Sequence, residues 1–207
     1  MLRVLLLTGM HPTEPVLWHR GTEAGSLASG TASSLDALPE DVLNAEHVSV
    51  ILPGELAATR RLTLPVNRDG ALEGAARLAF EDILATPAQE CHFAFGHADA
   101  DGQREVCAVP EIWVEEWTVA LREAGLQPTL LTIDHLVLKV EGRRNVILHD
   151  GERTMIRLLQ GGMTVETSFA QELIPQLEGT GVAEIVSTTP FTGATFILPE
   201  PRTKAAF

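Results

Sequence analysis

Two adjacent acid–base pairs, Asp134-His135 in TIDHLVL and His149-Asp150 in LHDGERT, are the first residues of this 207-residue chain whose types can move a proton. Each pair falls in a strand-like run, where neighbouring side chains point to opposite faces, so neither is expected to act as a dyad by itself. The turn HADADG resembles a calcium loop because Asp99 and Asp101 precede Gly102. Aligned on that glycine, the first ligand position falls on His97 and the twelfth on Ala108, so the bidentate carboxylate is missing and a plain hairpin turn is expected. Cys91, His92, His97 and Cys107 would approach one another in a hairpin symmetric about Asp99. Their spacing matches no zinc pattern, and buried free thiols with surface imidazoles are expected instead.

Phosphate chemistry finds no better footing. No Gly-Lys is present for a Walker A loop, no G-x-G-x-x-G follows a strand, and no G-x-S-x-G presents a serine. Trp113 and Trp117 share a helical stripe, which is expected to pack in the core rather than to form a ligand platform. Residue by residue, no catalytic, cofactor-binding or metal-ligating residue is expected.

Composition narrows the partners. With 15 Lys and Arg against 28 Asp and Glu the net charge is -13, which repels a nucleic-acid backbone or an anionic lipid surface unless a local basic patch intervenes. Arg60-Arg61 and Arg143-Arg144 are only isolated pairs, so no nucleic-acid partner is expected. Two cysteines outside any C-x-x-C motif suit a reducing compartment. The opening MLRVLLLTGM is too short for a signal-peptide core, and no run approaches the 20 or so apolar residues that cross a bilayer.

The elements that must position these residues follow from periodicity. Arg3 to Thr8 reads as a buried strand, with PVLWHR returning beside it as a hairpin. Gly21 to Leu38 carries so few large side chains that a loop is expected. HVSVILPG and ATRRLTLP are strands separated at Pro53-Gly54. Leu72, Ala75, Ala76, Ala79, Phe80 and Ile83 recur at helical spacing, predicting a helix over 69–84 that packs by its alanine-rich face and turns an acidic face outward. Glu73, Arg77 and Glu81 fall four apart on that helix. Cys91, Phe93 and Phe95 alternate as a half-buried strand, returned by REVCAVP. A helix over 111–124 stops at Gly125, and PTLLTIDHLVLKV is a further strand. Beyond it come a strand, the Asp150-Gly151 hairpin turn, a strand, a helix over 168–177 and two last strands, AEIVSTTP and ATFILP. Hairpins with intervening helices predict an α/β or mixed α+β sheet protein, divided near Leu138 to Arg144.

The ordered set VSVILPGELAATRRLTLP, ALEGAARLAFEDILATPAQECHFAFG, EVCAVP and WTVALREAGLQPTLLTIDHLVL resembles the cytoplasmic domain of the type II secretion system protein L family. Leu78-Ala79-Phe80-Glu81-Asp82 and His92-Phe93-Ala94-Phe95-Gly96 occupy the places of that family's helix and following strand, and Ala124 to Pro128 matches its A-G-L-x-P helix end. The resemblance is close from His47 to about Leu138.

The resemblance implies a degenerate actin-like ATPase, ribonuclease H-like fold. Its first lobe would be 1–137, with an inserted subdomain at about 47–137, and its second lobe 138–207. Active members place an Asp and glycines in the first hairpin, whereas LLLTGMHPTEP offers Gly9 and no Asp. At the second phosphate loop, HDGERT keeps Asp150, Gly151 and Thr154 with Glu152 intruding, a carboxylate that repels phosphate. No ATP hydrolysis and no cofactor are therefore expected. The family reading is an adaptor, not an enzyme, at the cytoplasmic face of the inner membrane, which holds the N-terminal domain of the secretion ATPase to the other inner-membrane platform proteins. A homodimer is implied, as is anchoring through one transmembrane helix outside these residues. Glu73, Glu81 and Asp82 are the expected partner-binding residues. Two alternatives stay open, an actin-like nucleotide-binding switch, kept alive by Asp150-Gly151 and Gly161-Gly162, and a pilus-assembly adaptor of the same superfamily.

Overall fold

The computed structural model describes residues 3–22, 25–64, 69–138, 145–177 and 182–185. The described residues divide into two compact units, one within 3–53 and 114–137, the other within 54–113 and 138–185.

In the first unit, β1 (Arg3–Leu7) runs antiparallel to β2 (Val16–Thr22) and parallel to β4 (His47–Leu52). With β3 (Gly25–Ala32) and β8 (Leu130–Ile133) they form a five-stranded sheet in the order β3-β2-β1-β4-β8. A central strand covered on both faces needs a continuous apolar run, and Val4, Leu5, Leu6 and Leu7 are all buried. The short helix α1 (Glu40–Leu43) buries Val42 before β4 begins.

The expected loop over 21–38 is instead strand β3, followed by a 3-10 turn at Leu35–Ala37. As the last described strand of its sheet, β3 needs only one neighbour, and small residues suffice there because β2 supplies the bulk. Trp18 lies opposite Gly30 in register, and a Cβ on Gly30 would sit 2.8 Å from its indole ring. Replacing Gly30 by Val should displace Trp18 and cost about 1–3 kcal/mol, the usual range for overpacking, measured as a lowered denaturation midpoint.

The second unit is built on a seven-stranded sheet. Its members in chain order are β5 (Ala58–Thr63), β6 (Cys91–Phe95), β7 (Gln103–Pro110), β9 (Asn145–Asp150), β10 (Arg153–Leu158), β11 (Gly161–Glu166) and β12 (Val182–Ile185). The spatial order is β12-β9-β10-β11-β5-β7-β6, so two hairpin-built halves meet where β11 pairs β5. Pro53-Gly54 is thus the passage from one sheet to the other. Helix α2 (Asp69–Phe80) packs on the β5-β7-β6 half, burying Ala76 and Phe80 with Ala88, Cys91, Phe93, Val106 and Ala108. Helix α4 (Thr167–Leu177) follows β11, close to the expected 168–177.

Helix α3 (Glu111–Glu123) buries Trp113, Trp117 and Leu121, as the stripe predicted. It stops at Gly125, whose φ is +78°. The Leu126 N–H donates to Leu121 O at 2.8 Å and the Gly125 N–H to Arg122 O at 3.0 Å, the paired bonds of a Schellman end.

Two boundaries differ from the sequence reading. Helix α2 ends at Phe80 rather than Leu84, because Ile83 and Leu84 both donate to the Phe80 carbonyl and close a turn ahead of Pro87. Strand β8 covers only Leu130–Ile133, and Asp134–Val137 curls into a 3-10 turn. The strand expected at ATFILP and most of the division at Leu138 to Arg144 lie outside the described residues.

Candidate functional site

The 3-10 turn changes the geometry of the first acid–base pair. A strand would have sent Asp134 and His135 to opposite faces, but the tighter turn lets both face inward, with relative exposures of 3% and 0%. Asp134 Oδ1 accepts the His135 backbone N–H at 2.6 Å and lies 3.5 Å from its Nδ1. Both side chains are thus shielded from solvent. His149 does behave as strand alternation requires: its Nδ1 bonds Thr154 Oγ1 at 2.8 Å across the β9–β10 hairpin.

The two turns that the resemblance sets against phosphate loops carry hydrogen bonds from this chain's own side chains. In the first hairpin, the Glu14 carboxylate accepts the Met10 N–H at 2.7 Å. It occupies the space above Gly9, where a Cβ would fall on Glu14 Oε2. At the second, Gly151 takes a left-handed φ of +62° to make a tight hairpin turn. Thr154 Oγ1 pairs with Thr167 Oγ1 at 3.0 Å, and Thr167 Oγ1 in turn donates to Gly151 O at 3.0 Å. The Glu152 carbonyl accepts the Thr167 N–H at 2.7 Å.

Gly161-Gly162, the pair on which the nucleotide-switch alternative rests, lies at the junction of β11 with β5. Gly162 O accepts Thr59 Oγ1 at 2.8 Å, and Gly161 backs onto the Thr59 carbonyl, so the glycines let β11 meet β5. Above them the Arg157 guanidinium reaches Glu105 on β7 through both of its terminal nitrogens.

The HADADG turn is a hairpin turn. Asp99 Oδ1 accepts the N–H groups of Asp101 and Gln103 at 2.9 and 2.8 Å, and Oδ2 pairs with Arg61. The Arg61 hydrogen bond first, then the backbone donors, hold its carboxyl below the ordinary carboxylate range. A depressed folded-state pKa contributes stability that is complete above the unfolded value near 4 and is lost as pH falls through the folded value. Asp99→Asn should therefore lower stability at neutral pH while flattening the acid limb below about pH 4, measured by thermal midpoints across pH.

The four metal-type side chains do not converge. The register of β6 and β7 sets Cys91 opposite Pro110 and Cys107 opposite Ala94 rather than one cysteine opposite the other. Both thiols are free and buried, and burial pushes Cys107 up to about 12. Among the described residues no group of three or more His, Cys, Asp or Glu is placed to hold a metal ion.

Glu73, Glu81 and Asp82 are not gathered on one acidic helix face. Glu73 lies on the flank of α2 and pairs with Arg77 at 2.6 Å, and Arg77 also reaches Ala88 O and stacks 5.3 Å from the Phe93 ring. Because α2 stops at Phe80, Glu81 and Asp82 sit in the turn after it, exposed. Ile83, expected in the buried stripe, is 43% exposed beside them.

A family model described as type II secretion system (T2SS), protein L, matches residues 12–202. The chain is 33% identical over 91 residues to the type II secretion system protein L of Pseudomonas aeruginosa, a match covering 44% of this chain and 24% of that protein, so the alignment spans about a quarter of that relative's length. Its fold is similar to the cytoplasmic domain of EpsL, an inner-membrane component of the type II secretion system of Vibrio cholerae. That comparison has a TM-score of 0.73 at 16% identity and covers 92% of this chain and 88% of that one. The PilM-PilN type IV pilus biogenesis complex gives 0.55 at 17% identity, covering 84% and 65%. A Bacteroides thetaiotaomicron protein of actin-like ATPase fold gives 0.54 at 11% identity, covering 92% and 84%. The mixed α/β architecture is thus actin-like, and a family match running over nearly the whole chain makes it a member of the type II secretion system protein L family.

Proposed function

We propose that this chain is the cytoplasmic adaptor of a type II secretion apparatus, holding the N-terminal domain of the secretion ATPase to the inner-membrane platform. The observation that carries the reading is that both turns set by the resemblance against phosphate loops are bonded to internal side chains, Glu14 in one and Thr154 with Thr167 in the other. A carboxylate above Gly9 repels a phosphate approaching the same amide. A fold kept without its usual ligand chemistry serves as a shaped surface, and the family supplies the context for that surface. In the whole protein this unit stands at the cytoplasmic face of the inner membrane, beside the other platform proteins and a second copy of itself; among the described residues no helix is long and apolar enough to cross a membrane.

Calorimetry of this chain with the ATPase N-terminal domain from the same bacterium, with and without magnesium-ATP, tests the proposal. Micromolar or tighter binding that ignores nucleotide is the expected result. No binding, together with a thermal shift on adding magnesium-ATP, would favour a nucleotide-binding switch.

Glu73, Glu81 and Asp82 are assigned to the contact through long-range attraction. Exposed charges contribute about 0–1 kcal/mol each at equilibrium, and their larger effect is on encounter. Glu81→Lys with Asp82→Lys should slow association several-fold at low salt and lose that effect at high salt; unchanged association would remove these residues from the contact.

A further inference from the structure

Helix α2 turns an uncharged stripe outward. Its buried pole is Leu72, Ala76 and Phe80, and the opposite pole is Ala71, Gly74 and Leu78, all exposed. Leu78 is 75% exposed, more than any other exposed large hydrophobic side chain of the described residues. A surface helix ordinarily carries charge on that pole.

Gly74 adds a second, independent oddity. Glycine is the poorest helix former after proline, so in a helix interior it is normally tolerated where a neighbour leaves no room for a side chain. A Cβ on Gly74 would meet nothing within 4 Å. Nothing packed inside the described fold needs the glycine, and what it does provide is a bare stretch of backbone one turn from Leu78.

Charges of both signs border this stripe, but the cations are engaged, Arg60 through the Ala79 carbonyl at 3.2 Å. Arg77 is engaged by Glu73 and the Ala88 carbonyl, while Glu81 and Asp82 have no ion pair or hydrogen bond among the described residues. An outward apolar knob beside bare backbone, with two unneutralised carboxylates at one end, complements an apolar stripe flanked by cations.

We infer that this face of α2 receives a basic amphipathic helix from a partner protein, which crosses close over Gly74, takes Leu78 into its apolar stripe and sets its Lys or Arg side chains against Glu81 and Asp82. The inference deepens the adaptor reading and rests on it, since it names the chemistry the bound partner must present. Glu81 and Asp82 then govern the encounter, and Leu78 and Gly74 govern the lifetime of the complex.

Gly74 makes the test discriminating, because fold and contact predict opposite signs. Gly74→Ala should raise the thermal midpoint by improving the helix, yet weaken binding of the ATPase N-terminal domain by roughly tenfold or more through a methyl group at the point of closest approach. Leu78→Ser should weaken binding by a similar factor and leave the midpoint unchanged. If the wild-type chain binds that domain and both variants bind equally well, this inference is overturned while the adaptor reading stands. If the wild-type chain does not bind it, the adaptor reading fails and this inference with it.

Discussion

Replacing Gly161 by alanine is expected to destabilise the second unit by about 3 kcal/mol or more, enough to unfold a marginally stable chain. Two penalties coincide at this residue. Its φ of +150° lies in a region that L side chains rarely adopt, and a Cβ would fall on the Thr59 carbonyl oxygen, with the carbonyl carbon 3.0 Å away. Backbone cannot swing aside as a side-chain tip can. Here it is held by the Arg61 N–H donating to Gln160 O at 2.9 Å and by Thr59 Oγ1 donating to Gly162 O at 2.8 Å. Only two residue pairs join β11 to β5, so the substitution strikes the whole seam between the two halves of the sheet. Gly102→Ala is the control: its φ is +76° but no atom lies within 4 Å of a Cβ, and about 1–2 kcal/mol is expected. Urea midpoints of the two variants would make the comparison, and equal losses would mean that the seam is not what Gly161 protects.

Truncating Phe80 to alanine should cost about 3–5 kcal/mol, the range for emptying an aromatic site in a core. Phe80 is fully buried and meets the Phe93 ring edge-on at 5.6 Å and 88°. Ala76, Ala88 and Ala108 surround it, and small neighbours cannot reach into the space it would leave. Because Phe80 is the last helical residue and the main anchor of α2, amide exchange should accelerate first along α2 and the following turn. Partner binding should fall with it, since Gly74, Leu78, Glu81 and Asp82 are all positioned by that anchor. Phe80→Leu, which keeps most of the volume, should cost under about 1.5 kcal/mol and retain binding. Exchange faster everywhere except α2 would contradict this account.

Elements whose identity rests on nearby residues were legible in advance. The stripe Trp113, Trp117 and Leu121 with Gly125 after it specifies a helix and its end, and the φ of +78° is what that glycine permits. The Asp150-Gly151 turn between apolar runs specifies a hairpin, and the alternation of Cys91, Phe93 and Phe95 specifies a strand with one buried face. That no Walker A or G-x-G-x-x-G run is present is legible for the same reason, because such loops need particular residues at fixed spacing.

What the tertiary structure decided depends on residues far apart in the chain. Strand β3 has almost no side-chain signal of its own, and becomes a strand because Trp18 of its neighbour lies over Gly30. Gly161-Gly162 looks locally like a pair of loop glycines, and only the approach of Thr59, about a hundred residues earlier, shows that a sheet junction needs them. Asp134 and His135 face inward together because the chain leaves β8 in a 3-10 turn, which the apolar run TIDHLVL does not announce. The outward pole of α2 is Ala71, Gly74 and Leu78 rather than acidic, because the helix ends at Phe80 and leaves Glu81 and Asp82 in the turn that follows, whereas ideal spacing would carry it to Leu84. Periodicity records which side of an element faces the core, since burial repeats with the backbone's own period, but pairing, register and the place where an element stops are settled by what the rest of the chain brings against it.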